Sequence, residues 1–328
     1  MQTRSDKEPI IKPRFIPIVW RLEQYGLGMT VQALPSIEYF KKHKKNDLYL
    51  KAHKKHIDFL KYFVDENKLY PWIRKSKNGI LESATIFEST DHEEYNLSNC
   101  NIPPYACHAV DHYLQTSCGI VSQDLSIKNY PKFPVEKVDI SKFNLPKKYV
   151  TIGPAWTKNT CVIPTNIIND IIDECKNKNY DVIILGDIYE KMVKKLNMGP
   201  KLNEGIHLDK CINLLNKTTL PEMIKVLSNS HVYIGPEGGL MNFAGLTDVP
   251  MIISHTSMNP ETRVPYRHNK LGWEVYNVIA DVECRYCITN SIHTKIDMNY
   301  MNDCMYNDFK CLDTITFDKF KTYLDNIL

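Results

Sequence analysis

The chain has 328 residues, 43% of them hydrophobic and 24% charged, with a net charge of +3. One hydrophobic core rarely grows beyond about 250–300 residues, so the length predicts two domains. So small a net charge gives no reason of its own to expect nucleic acid or an anionic membrane, and no run of about 18 apolar residues could span a bilayer.

The first 20 residues, MQTRSDKEPIIKPRFIPIVW, lack an apolar core of signal-peptide length, so a cytoplasmic protein is expected. FIPIVW (15–20) reads as a buried strand, RLEQYGLGM as a loop with two glycines, and TVQALPSIEYFKKHKK as a helix with a polar face. DLYLKA is a short strand and HIDFLKYFVDEN an amphipathic helix. ILESATIF is a further strand, followed by the acidic loop ESTDHEEYN; CHAVDHYLQTSCG is a helix closed by Gly119. The most basic stretch, 41–56, reads as two solvated faces around a strand, with docking of an anionic acceptor as the minority reading.

Residues 122–147 are polar, hold three prolines and show no period, as a linker would. The pattern then restarts: strand KYVTIG, helix PTNIINDIIDECKNK with Thr165 as candidate cap, strand DVIILG, helix DIYEKMVKKL. Helix TTLPEMIKVLSNS follows, with Thr219 as cap, then strand HVYIG, helix GGLMNFAGL and strand PMIIS. Strands alternating with helices predict parallel sheets covered on both faces, in two Rossmann-like halves, 1–145 and 146–328, facing an interdomain cleft. Ligands of such folds bind at the carboxyl ends of the strands.

The stretch HVYIGPEGGLMNFAGL carries the clearest chemistry. A strand runs into Gly238 and Gly239 at the start of a helix, where N–H groups are unsatisfied and no Cβ blocks a phosphate. Glu237 would cap the turn or accept hydrogen bonds from hydroxyls. GPAWTK places Thr157 and Lys158 after the first strand of the same half, where a lysine can neutralise a phosphate. LGDIYE places Asp187 and Glu190 on the same edge, where carboxylates often hold ribose hydroxyls.

Ten cysteines in a reducing compartment suggest metal where they cluster. Cys284, Cys287, Cys304 and Cys311 have the spacing C-x2-C-x16-C-x6-C, and four thiolates complete a tetrahedral zinc or iron site. Such a closed site is structural, with no catalytic metal expected; His293 is a spare ligand candidate. Others, such as Cys100, Cys107 and Cys118, read as scattered buried residues.

The run NLLNKTTLPEMIKVLSNSHVYIGPEGGLMNFAGLTDVPMIIS resembles the nucleotide-sugar domain of the heptosyltransferase-like glycosyltransferases of family 9. That family typically has Gly-Lys-Thr-Ser-Leu at a helix start, a strand, and then Asp-Ser-Gly-Pro-Met-His-Leu-Ala-Ala. RLEQYGLGMTVQALP is similar to its first loop, Gly-Asp-x-x-x-x-x-Pro, and HAVDHY to its His-x-x-Asp-x-Tyr helix. GPAWTK is similar to its phosphate-lysine loop, and CRYC with CLDTIT to its cysteine-bearing tail, which here spans 281–313. The resemblance implies a GT-B fold, a nucleotide-diphosphate sugar donor with ADP-sugar favoured, inversion at the anomeric carbon, and a final helix that crosses back to the first domain. It also implies structural iron on C-terminal cysteines in some members.

Three positions depart from the pattern. The first-loop Asp, the family's general base, falls at Met29; Asp-Ser-Gly becomes Glu237-Gly238-Gly239; the His falls at Asn242. A methionine takes no proton, so Asp91 and Glu23 are the candidate bases, with Arg21 and Arg263 as acceptor-binding candidates. A lipopolysaccharide core, a protein hydroxyl or a modified DNA base would each serve as acceptor, and an oligomer is compatible with the sequence. A non-catalytic nucleotide-sugar or glycan-binding protein is the alternative. An NAD-dependent oxidoreductase ranks below both, because GLGM lacks the third glycine of G-x-G-x-x-G.

Overall fold

The computed structural model describes residues 18–22, 27–72, 93–96, 107–154, 160–186, 205–290, 304, 306 and 308–328. Two parallel sheets organise them. The N-terminal sheet has the order β3-β2-β1-β4, from β1 (Ile18–Leu22), β2 (Leu48–His53), β3 (Leu69–Trp72) and β4 (Glu93–Asn96). With it go α1 (Leu27–His43), α2 (Lys54–Leu60) and α3 (Ala109–Cys118).

The second sheet has the order β12-β9-β8-β5-β6-β7. Its strands are β5 (Tyr149–Ile152), β6 (Asp181–Ile184), β7 (Ile212–Asn213), β8 (Tyr233–Pro236), β9 (Met251–His255) and β12 (Val275–Ile279). A two-residue hairpin, β10 (Tyr266–Arg267) with β11 (Lys270–Leu271), precedes β12. The helices of this half are α4 (Thr165–Asn177), α5 (Leu220–Ser228), α6 (Gly239–Ala244), the short turns α7 (Cys287–Asn290) and α8 (Lys310–Asp313), and α9 (Phe317–Ile327).

The central strands are buried throughout, which is why they read as unbroken apolar runs. Alternate side chains divide between two cores. Ile183, Tyr233, Met251 and Ile253 face the core shared with α5, α6 and the N-terminal sheet; Val182, Ile184, Ile234 and Ile252 face the core closed by α4 and α9. The Thr219 cap is realised as a full capping box: Glu222 returns the bond to the Thr219 N–H at 2.8 Å.

Several elements differ from the expectation. The first glycine loop is shorter, because α1 starts at Leu27 and takes Gly28 and Met29 into its first turn. Pro35 has no N–H to give the helix, and the fully buried Val31, Leu34 and Ile37 hold it instead. The expected helix 56–67 ends at Leu60. Residues 93–96 of the acidic loop form β4, which pairs with β1 from Ile18↔Glu93 to Arg21↔Asn96. β3 carries Pro71 and lies at the sheet edge, the place a strand tolerates a residue without N–H. Thr165 is the first residue of α4, and Pro164 occupies the cap. β9 is not the last strand of its sheet, since β12 follows and pairs with it. The final helix, expected to cross back to the first domain, docks on α4 and β12: Phe320 and Leu324 are fully buried there, and Lys321 pairs with Glu174 at 2.9 Å.

The segment between the sheets is not a loose tether. Its backbone bonds to the second half through Tyr130 N–H to Tyr266 O at 2.9 Å and Phe133 N–H to Leu246 O at 3.0 Å. The Tyr130 and Phe133 side chains are buried. No helix among the described residues is long and apolar enough to cross a membrane.

Candidate active site

β5 opens the second sheet; the chain then fills one side with β6 and β7 and returns to place β8, β9 and β12 on the other. The β5/β8 pair is therefore the switch point, where loops from neighbouring strands diverge and leave a crevice. Both loops start there in register, Thr151 opposite Tyr233 and Ile152 opposite Ile234. Gly153, the first residue of GPAWTK, donates its N–H to Ile234 O at 2.9 Å. A Cβ on Gly153 would lie 2.5 Å from Leu240 Cδ2 and 2.9 Å from Tyr233 Oη, so a side chain there would force both to shift.

On the β8 side the chain turns through Glu237 and Gly238 into α6. Glu237 N–H bonds to Ser254 O at 3.0 Å, which ties the turn to β9. Gly238 is the N-cap of α6 and Gly239 its first residue. The helix has only six residues, so its macrodipole is small, and an anion at the turn would have to be held by local N–H groups. The Glu237 side chain is 7% exposed, and among the described residues no group hydrogen-bonds its carboxylate. Its oxygens keep an opening to solvent, so they stay accessible to the hydroxyls of a ligand.

The N-terminal half closes over this turn. A Cβ on Gly28 would stand 3.1 Å from both Gly239 Cα and Asn242 Nδ2, so glycine at 28 lets the start of α1 rest on the turn. Met29, at the family's Asp position, is half-buried and packs on the core. His108 caps α3 by accepting the Val110 N–H at Nδ1 (3.1 Å), and its Nε2 lies 2.8 Å from Val264 O. Nδ1 as acceptor leaves the proton on Nε2, which donates to Val264 across the two halves. Burial pushes its pKa down to about 4, with Arg263 and Lys128 acting in the same direction. Asp111, one turn on, pairs with the buried Lys128 at 2.7 Å.

Of the residues singled out in the sequence, the structure gathers Glu237, Gly238, Gly239 and Asn242 at one turn. Arg263 is 7% exposed and within electrostatic range of His108 and the Tyr130 phenol. The Arg21 backbone belongs to β1, opposite Lys51 and Asn96. Glu23, Asp91, Thr157, Lys158, Asp187, Glu190 and His293 lie outside the described residues. Tyr130, His108 and Asp111 were missed as site neighbours; HAVDHY already carried two of them.

The four cysteines of the tail lie on one side of the second half. Burial raises the Cys311 pKa to about 12 and the Cys287 pKa to about 11, and the thiols of Cys284, Cys304 and also Cys161 add to both shifts. Among the described residues, however, no three His, Cys, Asp or Glu side chains are gathered so as to hold a metal ion. The thiols supply the right donor chemistry but not a formed coordination sphere, and Cys304 Sγ instead faces Asp308 Oδ1 at 3.7 Å. The C-x2-C segment is tied to the crevice: Tyr286 N–H bonds to Thr256 O at 2.7 Å and Ile288 N–H to Ser257 O at 3.0 Å. Ser257 Oγ in turn lies 3.2 Å from Thr160 Oγ1 and 3.3 Å from Cys161 Sγ, where the β5 loop ends.

The family model described as glycosyltransferase family 9 (heptosyltransferase) matches residues 110–285, more than half of the chain. The chain belongs to glycosyltransferase family 9. No curated protein matches its sequence. Solved structures of the family share its architecture. The iron-containing dodecameric glycosyltransferase TibC from enterotoxigenic E. coli is 14% identical with a TM-score of 0.67, over 95% of this chain and 76% of that one. A family 9 glycosyltransferase from Veillonella parvula is 13% identical with a TM-score of 0.66, over 97% and 98%. The E. coli ADP-heptose lipopolysaccharide heptosyltransferase II is 12% identical with a TM-score of 0.62, over 95% and 98%. TibC has also been solved in complex with ADP-D-β-D-heptose. At these identities the likeness establishes the fold, the GT-B arrangement of Rossmann-like units expected from the sequence.

Proposed function

We propose that the protein is an inverting glycosyltransferase that moves a sugar from a nucleotide-diphosphate donor, with ADP-sugars favoured, to a hydroxyl acceptor. Residues 1–145 then form the acceptor domain and 146–328 the donor domain. The observation that carries the reading is Glu237, 7% exposed and without a hydrogen-bond partner among the described residues, beside Gly238 and Gly239 at the β5/β8 switch point. N–H groups of the turn and Lys158 would stabilise the charge that develops on the leaving diphosphate. Glu237 would accept hydrogen bonds from donor hydroxyls and Asn242 would serve the donor through the turn it holds, with Thr157, Asp187 and Glu190 around the nucleotide. The acceptor hydroxyl attacks the anomeric carbon in line and loses its proton to a carboxylate, Asp91 or Glu23, since Met29 cannot accept it. Arg21 and Arg263 would bind the acceptor, which is a glycan or lipopolysaccharide core, a protein or a modified DNA base.

Incubation with labelled ADP-heptose and other nucleotide sugars, across those acceptor classes, tests the reading. Transfer of label with release of nucleoside diphosphate is the expected result. Tight donor binding without release under any condition would favour the non-catalytic binding protein, for which Met29 in the first turn of α1 is the specific argument.

We further propose a structural zinc or iron on Cys284, Cys287, Cys304 and Cys311, supported by their spacing and by the other thiols lying within electrostatic range of Cys287 and Cys311. Bound there, the metal would pin the tail beside Thr256 and Ser257 and take no part in the transfer. Elemental analysis of the purified protein is expected to give about one metal per chain. Cys287→Ser or Cys311→Ser is expected to lose the metal and lower Tm. A metal-free wild type with the same Tm as both variants would exclude the site.

A further inference from the structure

We propose that Tyr130 is a positioning residue for the donor site, acting through Asn242 on the glycine turn; this rests on the donor reading above. Tyr130 comes from the segment between the sheets, and its ring is buried at 5% exposure. Its hydroxyl donates to Asn242 Oδ1 at 2.8 Å. An amide can sit either way round, and the Gly238 carbonyl, which only accepts, decides between the two: Nδ2 faces the turn, and Oδ1 is left to accept from the phenol. There it donates to Gly238 O at 2.9 Å. The Asn242 backbone N–H reaches the same oxygen only at 3.3 Å, so the side-chain bond is the shorter anchor.

The Gly238 carbonyl and the Gly239 N–H belong to one planar trans peptide and point in opposite directions. Drawing the carbonyl inward to Asn242 therefore turns the Gly239 N–H outward, away from the helix and toward the crevice. Two glycines alone would leave this peptide free to rotate, since glycine opposes few backbone conformations. Gly28 leaves room for this arrangement, since a Cβ there would stand 3.1 Å from both Asn242 Nδ2 and Gly239 Cα. The family's histidine at 242 is replaced here by an amide, and Tyr130 supplies the partner that fixes it.

ADP and UDP are the probes. Tyr130→Phe removes one hydroxyl and should weaken binding of the preferred nucleoside diphosphate about 10-fold in calorimetry, with Tm little changed. Hydrogen exchange of the ligand-free variant should accelerate at residues 238–240 while the β8 amides stay protected, a readout that general loosening would not produce. Asn242→Ala should have a similar effect, and the double variant should be no worse than Asn242→Ala alone, because one chain of bonds is broken either way. If Tyr130→Phe does not fold, Asn242→Ala carries the same binding and exchange test. Unchanged affinity in the variant of a wild type that binds ADP or UDP, or additive losses in the double variant, overturns the positioning role and leaves the donor reading intact. A folded wild type that binds neither nucleotide overturns both.

Discussion

Valine at both Gly238 and Gly239 is expected to reduce nucleoside-diphosphate affinity at least 100-fold. The turn lies where β5 and β8 deliver their loops, and a pyrophosphate must come within hydrogen-bond distance of peptide N–H groups there. A branched side chain on each residue would cover the N–H groups and push against α1, whose Gly28 is already close to Gly239 Cα. A 100-fold loss corresponds to about 2.7 kcal/mol, the scale of two or three charge-assisted hydrogen bonds weakened at once. Gly238 is extended, with φ 163° and ψ −162°, a conformation open to any residue. The substitution at 238 therefore adds no backbone strain of its own, and the effect should fall on ligand binding. Titration calorimetry with ADP measures it, with Tm as the fold control; a folded double variant that binds as tightly as wild type would remove the turn from the donor site.

The site was legible where local chemistry defines it and illegible where distant residues do. HVYIGPEGGLMNFAGL announces a strand, a glycine turn and a helix by itself, and the structure has all three. α4 and α5 were equally plain, because Ile167, Ile168, Ile171 and Ile172, or Met223, Ile224, Val226 and Leu227, keep helical spacing on a buried face. β4, by contrast, is EEYN: only Tyr95 favours a strand, and pairing with β1 makes the four residues one. β7 has two residues and exists only through its register with Ile183 and Ile184. Tyr130 looked like part of a linker because its partner, Asn242, lies 112 residues away. The same separation hid His108, whose bond to Val264 spans 156 residues.

Buried histidines make the stability of the fold depend on pH: His108 and His255 most strongly, and His112, whose pKa burial also lowers, in the same direction. Burial lowers the pKa of His108 and of His255 from 6.5 to about 4. His255 is fully enclosed at the end of β9, on the face with Met251 and Ile253; Asn277 lies alongside and offsets part of the shift, yet neither ring nitrogen meets hydrogen-bond geometry. Because both folded-state values lie below the unfolded one, the unfolded chain binds more protons between about pH 4 and 6.5, and stability rises with pH across that window. The full contribution is present above pH 6.5 and is lost as the pH falls toward 4. Each lowering from 6.5 to about 4 corresponds to roughly 3 kcal/mol at its limit. Urea unfolding is therefore expected to give a ΔG lower by about 4–5 kcal/mol at pH 4.5 than at pH 7.5. The Asp residues with lowered pKa, such as Asp248 and Asp325, start below the His window, with ordinary values of 3.8, and add their losses chiefly under pH 4. His255→Leu removes one of the two largest titrations and places an apolar side chain among apolar neighbours, so it should remove a little under half of the acid loss. An unchanged difference between the two pH values in that variant would show that His255 does not enter the unfolding equilibrium as a neutral buried ring.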